Sequence, residues 1–236
     1  MSGIRVVESL MRKAIFTYKL IPDEAKITVA LSGGKDSLTL LHLLHQVSGR
    51  GIAPFKLHAV HIGGEFSCGA GVSRQFLQKC CDDLHVPLTV IESSQKLETL
   101  ECYSCSRERR RLLFDAAKAN DSTIVAFGHH RDDHIQTLLM NLLHKGEFAG
   151  NLAKVPMVHY GVTIIRPLLF VSEDQIISYA KDKGFLRAMC RCPVGQKSMR
   201  KKADDMLKQI EEIFPNARVN LARAGWLRGS EGALTP

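Results

Sequence analysis

At 236 residues the chain is long enough to bury a core of its own, and its seven cysteines, an odd number, argue against a disulfide framework. Apolar residues make up 45% and charged residues 24%, as in ordinary water-soluble proteins, and no run approaches the ~20 apolar residues of a membrane span. The net charge of +8 favours a polyanionic partner such as nucleic acid, and the charge-studded start is unlike a signal peptide, so a cytoplasmic protein without a membrane partner is expected.

MSGIRVVESLMRKAIF spaces its apolar residues at a helical period and predicts an N-terminal helix, within residues 1–25, packed on the core. KITVALS (26–32) reads as a strand ending at two glycines, and SLTLLHLLHQVS (37–48) as the helix that follows. FKLHAVHI (55–62) and VPLTVIES (86–93) are strands on either side of the helix SRQFLQKCCDDLH (73–85). A helix from about 104 to 119 leads to the strand STIVAFG (122–128). The next helix, about 132–144, carries an apolar stripe of Ile135, Leu138, Leu139, Leu142 and Leu143. GVTIIRPLL and the helix SEDQIISYAKDKG follow, the latter with Ser172 as its N-cap. The main domain is expected over 26–215. Residues 216–236 are expected as a partly flexible C-terminal tail, because apolar periodicity is lost after Trp226. Strands alternating with helices of this length imply an α/β, Rossmann-like fold. Its parallel sheet has helices on both faces and binds ligands beyond the carboxyl ends of the strands.

Two motifs sit at such ends. In Ser32-Gly33-Gly34-Lys35-Asp36-Ser37, the glycines allow a sharp turn with bare N–H groups, and the following helix adds the positive end of its dipole. Ser32 and Ser37 offer hydroxyls, Lys35 a cation, and Asp36 a ligand for Mg2+. The spacing is not that of a Walker loop, and an ordinary Gly-Gly turn capped by Asp36 or Ser37 would look similar. In Gly128-His129-His130-Arg131-Asp132-Asp133, the glycine permits close approach to a ligand. The two aspartates either cap a helix, bind a cation or move a proton. Zinc would need further ligands nearby in sequence, which are absent.

Cys68, Cys80 and Cys81 have no ligand spacing and read as plain thiols. Cys102 and Cys105 stand at a helix start ahead of Arg107, Arg109, Arg110 and Arg111, a setting that favours thiolate. The pair alone could be a redox dithiol, half of a zinc site or part of an iron–sulfur site. Cys190 and Cys192 could join it, although Cys-x-Cys is a poor zinc knuckle.

SGGKDS after a buried strand resembles the signature of the PP-loop ATP pyrophosphatases. Together with ECYSCSRERRR, AFGHHRDDHIQTLLMNLL, IIRPLL and CRCPVGQKSMR, it makes residues from about 5 to 215 similar to the tRNA-cytidine(32) 2-sulfurtransferase family. The resemblance implies the adenine nucleotide alpha hydrolase-like PP-loop fold, with ATP as cosubstrate and tRNA as substrate. It implies that ATP adenylates O2 of an anticodon-loop cytidine and that sulfur is transferred from a [4Fe-4S] cluster. Ser32 to Ser37, His61 and Gly128 would bind the nucleotide, with Mg2+ on Asp36. Cys102, Cys105 and Cys192 would hold the cluster. Cys192 is preferred because the family cysteine stands eight residues before an arginine, here Arg200. Cys190 is the alternative, since the family's usual second cysteine falls at Met189. Asp36, Asp132, Asp133 and Arg109 would be catalytic. Arg107, Arg110, Arg111, Lys197, Arg200, Lys201 and Lys202 would hold tRNA phosphates. A sulfur donor such as a cysteine desulfurase and a homodimer are also implied. The 2-thiouridine branch is disfavoured, because its zinc-binding cysteines precede the PP-loop and no cysteine here precedes Cys68. Lysidine-synthase chemistry, and a non-catalytic metal-stapled RNA-binding module, are the competing readings.

Overall fold

The computed structural model describes residues 3–64, 73–93, 102–185 and 199–228. Helices are α1 (Gly3–Thr17), α2 (Lys35–Val47), α3 (Arg74–Asp82), α4 (Cys102–Ala119), α5 (Arg131–Lys145), α6 (Glu173–Asp182), α7 (Met199–Ile213) and α8 (Ala217–Arg228). Strands are β1 (Lys26–Ala30), β2 (Lys56–Gly63), β3 (Leu88–Glu92), β4 (Ile124–Ala126), β5 (Lys154–Met157) and β6 (Val162–Ile165). None of these helices is long and apolar enough to cross a membrane.

The strands form one sheet in the order β3-β2-β1-β4-β6-β5, parallel throughout except for β5, which runs antiparallel to β6 at the edge. The parallel-sheet expectation thus holds for five of the six strands, and the hairpin at the edge is the exception. Its strand contains Pro156, which cannot donate to a ladder and is tolerated only where one side of the strand is unpaired.

Alternation along the strands sorts the core into two layers. Ile27 and Val29 of β1, Ala59 of β2, Ile124 and Ala126 of β4, and Ile165 of β6 pack with Met11, Leu40, Leu44, Leu77 and Ile176, which belong to α1, α2, α3 and α6. The intervening residues Val60, Ile62, Val125, Val162 and Ile164 meet Leu113, Phe114 and Ala117 of α4 on the other face. Where the sequence suggested a tail from residue 216, α8 is an ordered helix. Ala222 is fully buried on it and clusters with Ile135 and Leu139 of α5 and Leu207 of α7. The helix has no clear apolar stripe of its own because small residues, Ala222 and Gly225, make its closest approach to α5. Residues 229–236 lie outside the described residues.

Candidate active site

The turn between β1 and α2 brings two glycines and two hydroxyls to the N-terminus of α2. Gly33 takes φ 84°, the left-handed conformation that favours glycine, and Gly34 then caps α2 in an extended conformation. The Gly34 N–H donates to Ser32 Oγ at 3.3 Å, Ser37 Oγ donates to the Gly34 carbonyl at 3.0 Å, and the two hydroxyls lie 3.1 Å apart. Lys35 Nζ reaches Asp36 Oδ1 and Glu173 Oε1, each at 3.0 Å. Partial burial works against the ammonium, but Asp36 and Glu173 together hold its pKa above the usual value.

The second motif meets the first at the carboxyl ends of β1 and β4. A Cβ on Gly128 would stand 2.9 Å from the Asp36 carbonyl carbon and 3.0 Å from Ser37 N, so the close approach the glycine permits is to the backbone of α2. His130 caps α5: its Nδ1 accepts the Asp132 N–H at 3.3 Å, while Asp133 Oδ2 accepts the His130 N–H at 3.1 Å. With Nδ1 accepting, neutral His130 carries its proton on Nε2, which stands 3.5 Å from Asp133 Oδ2 and 3.8 Å from Asp36 Oδ1. One imidazole therefore faces a carboxylate from each motif.

The two aspartates of the second motif have different surroundings. Asp133 lies 3.6 Å from Arg200 Nη1. Burial opposes its charge, yet His130, His129 and Arg200 hold its pKa below the ordinary carboxylate value. Asp132 has 6% of its side chain exposed, and both of its oxygens are engaged, Oδ1 by Arg218 Nη1 at 3.0 Å and Oδ2 by the Glu173 N–H at 2.8 Å. His129 stacks on Phe127 with ring centroids 5.5 Å apart, and its Nδ1 accepts from Arg166 Nε at 3.2 Å. Burial pushes its pKa down to about 3, with Asp133 opposing and Arg166, Arg200 and Arg110 adding to the fall. Buried Arg166 is itself lowered to about 10, by desolvation first and then by Arg110. The guanidiniums of Arg110 and Arg200 thus both act on Arg166.

His61, at the carboxyl end of β2, is buried and donates from Nδ1 to the Leu31 carbonyl at 2.7 Å. Burial lowers its pKa despite that bond, and Arg109 and Arg74 lower it further. Arg109 lowers the pKa of His61 and Arg110 that of His129, so both guanidiniums of α4 act on imidazoles at the strand ends. Cys102 and Cys105 open that helix.

The PP-loop domain family matches residues 6–186, well over half of the chain. A curated tRNA-cytidine(32) 2-sulfurtransferase from Xylella fastidiosa (strain M12) is 35% identical over 230 residues, covering 93% of this chain and 76% of that protein. The like-named protein of Geobacter metallireducens is 31% identical over 227 residues, covering 93% of this chain and 88% of the other. The chain belongs to the tRNA-cytidine(32) 2-sulfurtransferase family of PP-loop proteins. Among solved structures, the U34-tRNA thiolase NcsA from Methanococcus maripaludis, with its [4Fe-4S] cluster, matches with a TM-score of 0.76 at 22% identity, covering 94% of this chain and 78% of that one. NMN synthetase from Francisella tularensis matches with a TM-score of 0.56 at 16% identity, covering 100% of this chain and 99% of that one. At those identities the likeness is one of fold.

In this member of the sulfurtransferase family the expected residues fall into three groups. Ser32 to Ser37, Gly128, Asp133, His61, Arg109, Arg110 and Arg200 converge on the carboxyl ends of the strands. Arg107, Arg111, Lys201 and Lys202 are exposed on α4 and α7, and Arg111 pairs with Asp115 at 3.1 Å on its own helix. Cys190, Cys192 and Lys197 lie outside the described residues, as does Cys68, and of Cys102 and Cys105 only the place in α4 is described. Cys81 is buried and its thiol is pushed up to about 12, mostly by desolvation, which fits a plain core thiol. Three site residues were not marked as such by the sequence. Glu173 looked like a first-turn acid of α6, Arg166 was one letter of IIRPLL, and Arg218 lay in the expected tail. Arg166 alone left a signal, a charge inside an otherwise apolar strand end.

Proposed function

We propose that this enzyme uses ATP to convert an anticodon-loop cytidine of tRNA, at position 32, to 2-thiocytidine. The observation that carries the reading is the meeting of the two motifs at His130, between Asp36 and Asp133, in a chain 35% identical to a named sulfurtransferase. The helix N-terminus that begins α2 and the hydroxyls of Ser32 and Ser37 suit the β- and γ-phosphates of ATP. Cytidine O2 attacks the α-phosphorus, pyrophosphate leaves, and the base carries an O-adenylate. Lys35, exchanging Glu173 for phosphate, neutralises charge on the departing pyrophosphate. Asp36, on the first turn of α2 with a third of its side chain exposed, would hold a hard cation such as Mg2+, which would offset phosphate charge. Asp133, held ionised, stands 3.5 Å from His130 Nε2, so the carboxylate can orient that imidazole towards the nucleotide turn.

Cys102 and Cys105 stand three residues apart at the N-terminal end of α4, where the helix dipole favours thiolate, and this donor set fits two corners of an iron–sulfur cluster. Cys192 is the proposed third ligand. Held by these cysteines, a [4Fe-4S] cluster would supply sulfide-level sulfur to the activated base. Sulfide forms the C2–S bond, the C2–O bond breaks, and AMP departs with the former O2, so no net oxidation or reduction occurs. Each turnover would consume one sulfide, so a sulfur donor such as a cysteine desulfurase, with a two-electron reductant for its persulfide sulfur, would have to restore it. Arg109 steadies the sulfide side of the site. The exposed cations of α4 and α7 hold tRNA phosphates.

The test is anaerobic reconstitution of the wild type and of Cys102→Ala, Cys190→Ala and Cys192→Ala, read by cluster absorbance and by tRNA-dependent pyrophosphate release. Cluster loss is expected in all but Cys190→Ala. An intact cluster with no pyrophosphate release in the presence of ATP and tRNA would sink the reading and favour an RNA-binding module. Release without any need for a cluster would favour lysidine-type chemistry.

A further inference from the structure

Arg218 stands on α8, beyond the residues 6–186 that define the PP-loop domain. Only 14% of its side chain is exposed, and each of its nitrogens reaches a different carboxylate. Nε contacts Glu211 Oε2 at 2.7 Å, Nη2 contacts Asp204 Oδ1 at 2.9 Å, and Nη1 contacts Asp132 Oδ1 at 3.0 Å. Two of these acids belong to α7 and the third to the first turn of α5. The other oxygen of Asp132 takes the Glu173 N–H, which begins α6, and Glu173 Oε1 holds the PP-loop lysine. Four helices therefore meet at one ion pair, one residue away from Asp133.

A buried ion pair adds little to stability compared with apolar packing, but its fork geometry fixes orientation. Here the fork ties α8 to α7 and to α5. Arg200, in the first turn of α7, lies 3.6 Å from Asp133, and Lys201 and Lys202 follow it on that helix. We propose that Arg218, acting through Asp132, is a positioning residue that holds α7 and α8 in register with the nucleotide turn, so that tRNA bound on α7 meets the activated phosphate. The proposal rests on the thiolation reading for its substrate, and on the ion-pair geometry alone for the lock. It makes Asp132 a positioning residue and leaves Asp133 as the carboxylate that faces the reaction.

The experiment compares full-length, reconstituted wild type with Arg218→Gln, Asp132→Asn and the double variant. It measures ATP affinity without tRNA, kcat and KM for tRNA in pyrophosphate release, and amide exchange along α7 and α8. Arg218→Gln is expected to lower kcat/KM for tRNA by at least ~10-fold while ATP affinity stays within ~2-fold, and the double variant to be no worse than the single. Exchange should rise in α7 and α8 and not in β1 or α2. Unchanged tRNA kinetics, or ATP affinity falling in step with them, would overturn the proposal, as would losses in the double variant that multiply. Should Arg218→Gln fail to fold, Asp204→Asn removes one prong and must show the same split in weaker form, or the proposal fails. A wild type that releases no pyrophosphate with tRNA would defeat the thiolation reading. Exchange in α8 that Arg218→Gln leaves unaltered would defeat the lock whatever the reaction.

Discussion

Replacing Gly128 by alanine tests whether the two motifs are held together by direct backbone contact. The added methyl would stand 2.9 Å from Asp36 C, 3.0 Å from Asp36 O and 3.0 Å from Ser37 N. Carbon atoms rest ~3.5–4.0 Å apart, so the first turn of α2 must retreat by roughly 0.5–1 Å. No rotamer can relieve the clash, because every atom met is main chain. Overpacking of this kind costs about 1–3 kcal/mol, partly offset by the ~0.4–1 kcal/mol that alanine gains by restricting the unfolded chain. A net loss of ~1–2 kcal/mol lowers the melting temperature of a chain this size by roughly 2–8 °C. The functional loss should be larger, since displacing a positioning element by ~1 Å can cost ~100-fold in rate. Thermal unfolding, ATP titration and pyrophosphate release measure the three effects. A Gly128→Ala protein that melts, binds ATP and turns over like wild type would refute the backbone approach as drawn.

Glu173→Gln removes the carboxylate that competes with phosphate for Lys35, so ATP should bind several-fold more tightly at low ionic strength, with the gain shrinking as salt rises. Equilibrium binding across a salt series checks this, and weaker binding would contradict the assigned competition. Acidification should also destabilise the fold through His42, whose pKa is lowered to about 4, by burial first and then by Lys183 and His45. The unfolded chain takes up this proton near pH ~6.5 and the folded one does not, so stability falls as pH drops from 6.5 towards 4. Its Nδ1 lies 2.6 Å from Tyr179 Oη. His42→Gln should flatten the dependence of the urea midpoint on pH over that window, and an unaltered slope would show that His42 does not carry it.

The alternation of helices and strands was legible because Ile27, Val29, Ile124 and Val125 report burial by their own chemistry. The antiparallel β5 was not, because KVPM is short, carries a proline and is decided by its neighbour β6. The sharp turn of the first motif was legible, since Gly33 takes a left-handed conformation that favours glycine for a local backbone reason. Gly128 needed the fold: only with α2 laid against it does its lack of a side chain become a meeting point with the other motif. Asp132 and Asp133 are equal as letters at a helix start. They are separated by partners far away in sequence, Arg218 being 86 residues from Asp132. Glu173, 138 residues from Lys35, was hidden in the same way behind a sufficient local role as a first-turn acid.

The placement of β1 at the centre of the sheet also has a consequence for synthesis on the ribosome. Its neighbour β4 arrives late: the Thr28 N–H is satisfied by Ser122 Oγ, 94 residues downstream, and the PP-loop is backed by Gly128 and answered by Glu173. A nascent chain that has released β1, α2, β2 and β3 has therefore made the phosphate turn without its wall or its counter-charge. Such non-local pairings close only when most of the polypeptide has emerged. The phosphate turn of the nascent chain therefore gains its backing only once the segment that carries Gly128 has emerged.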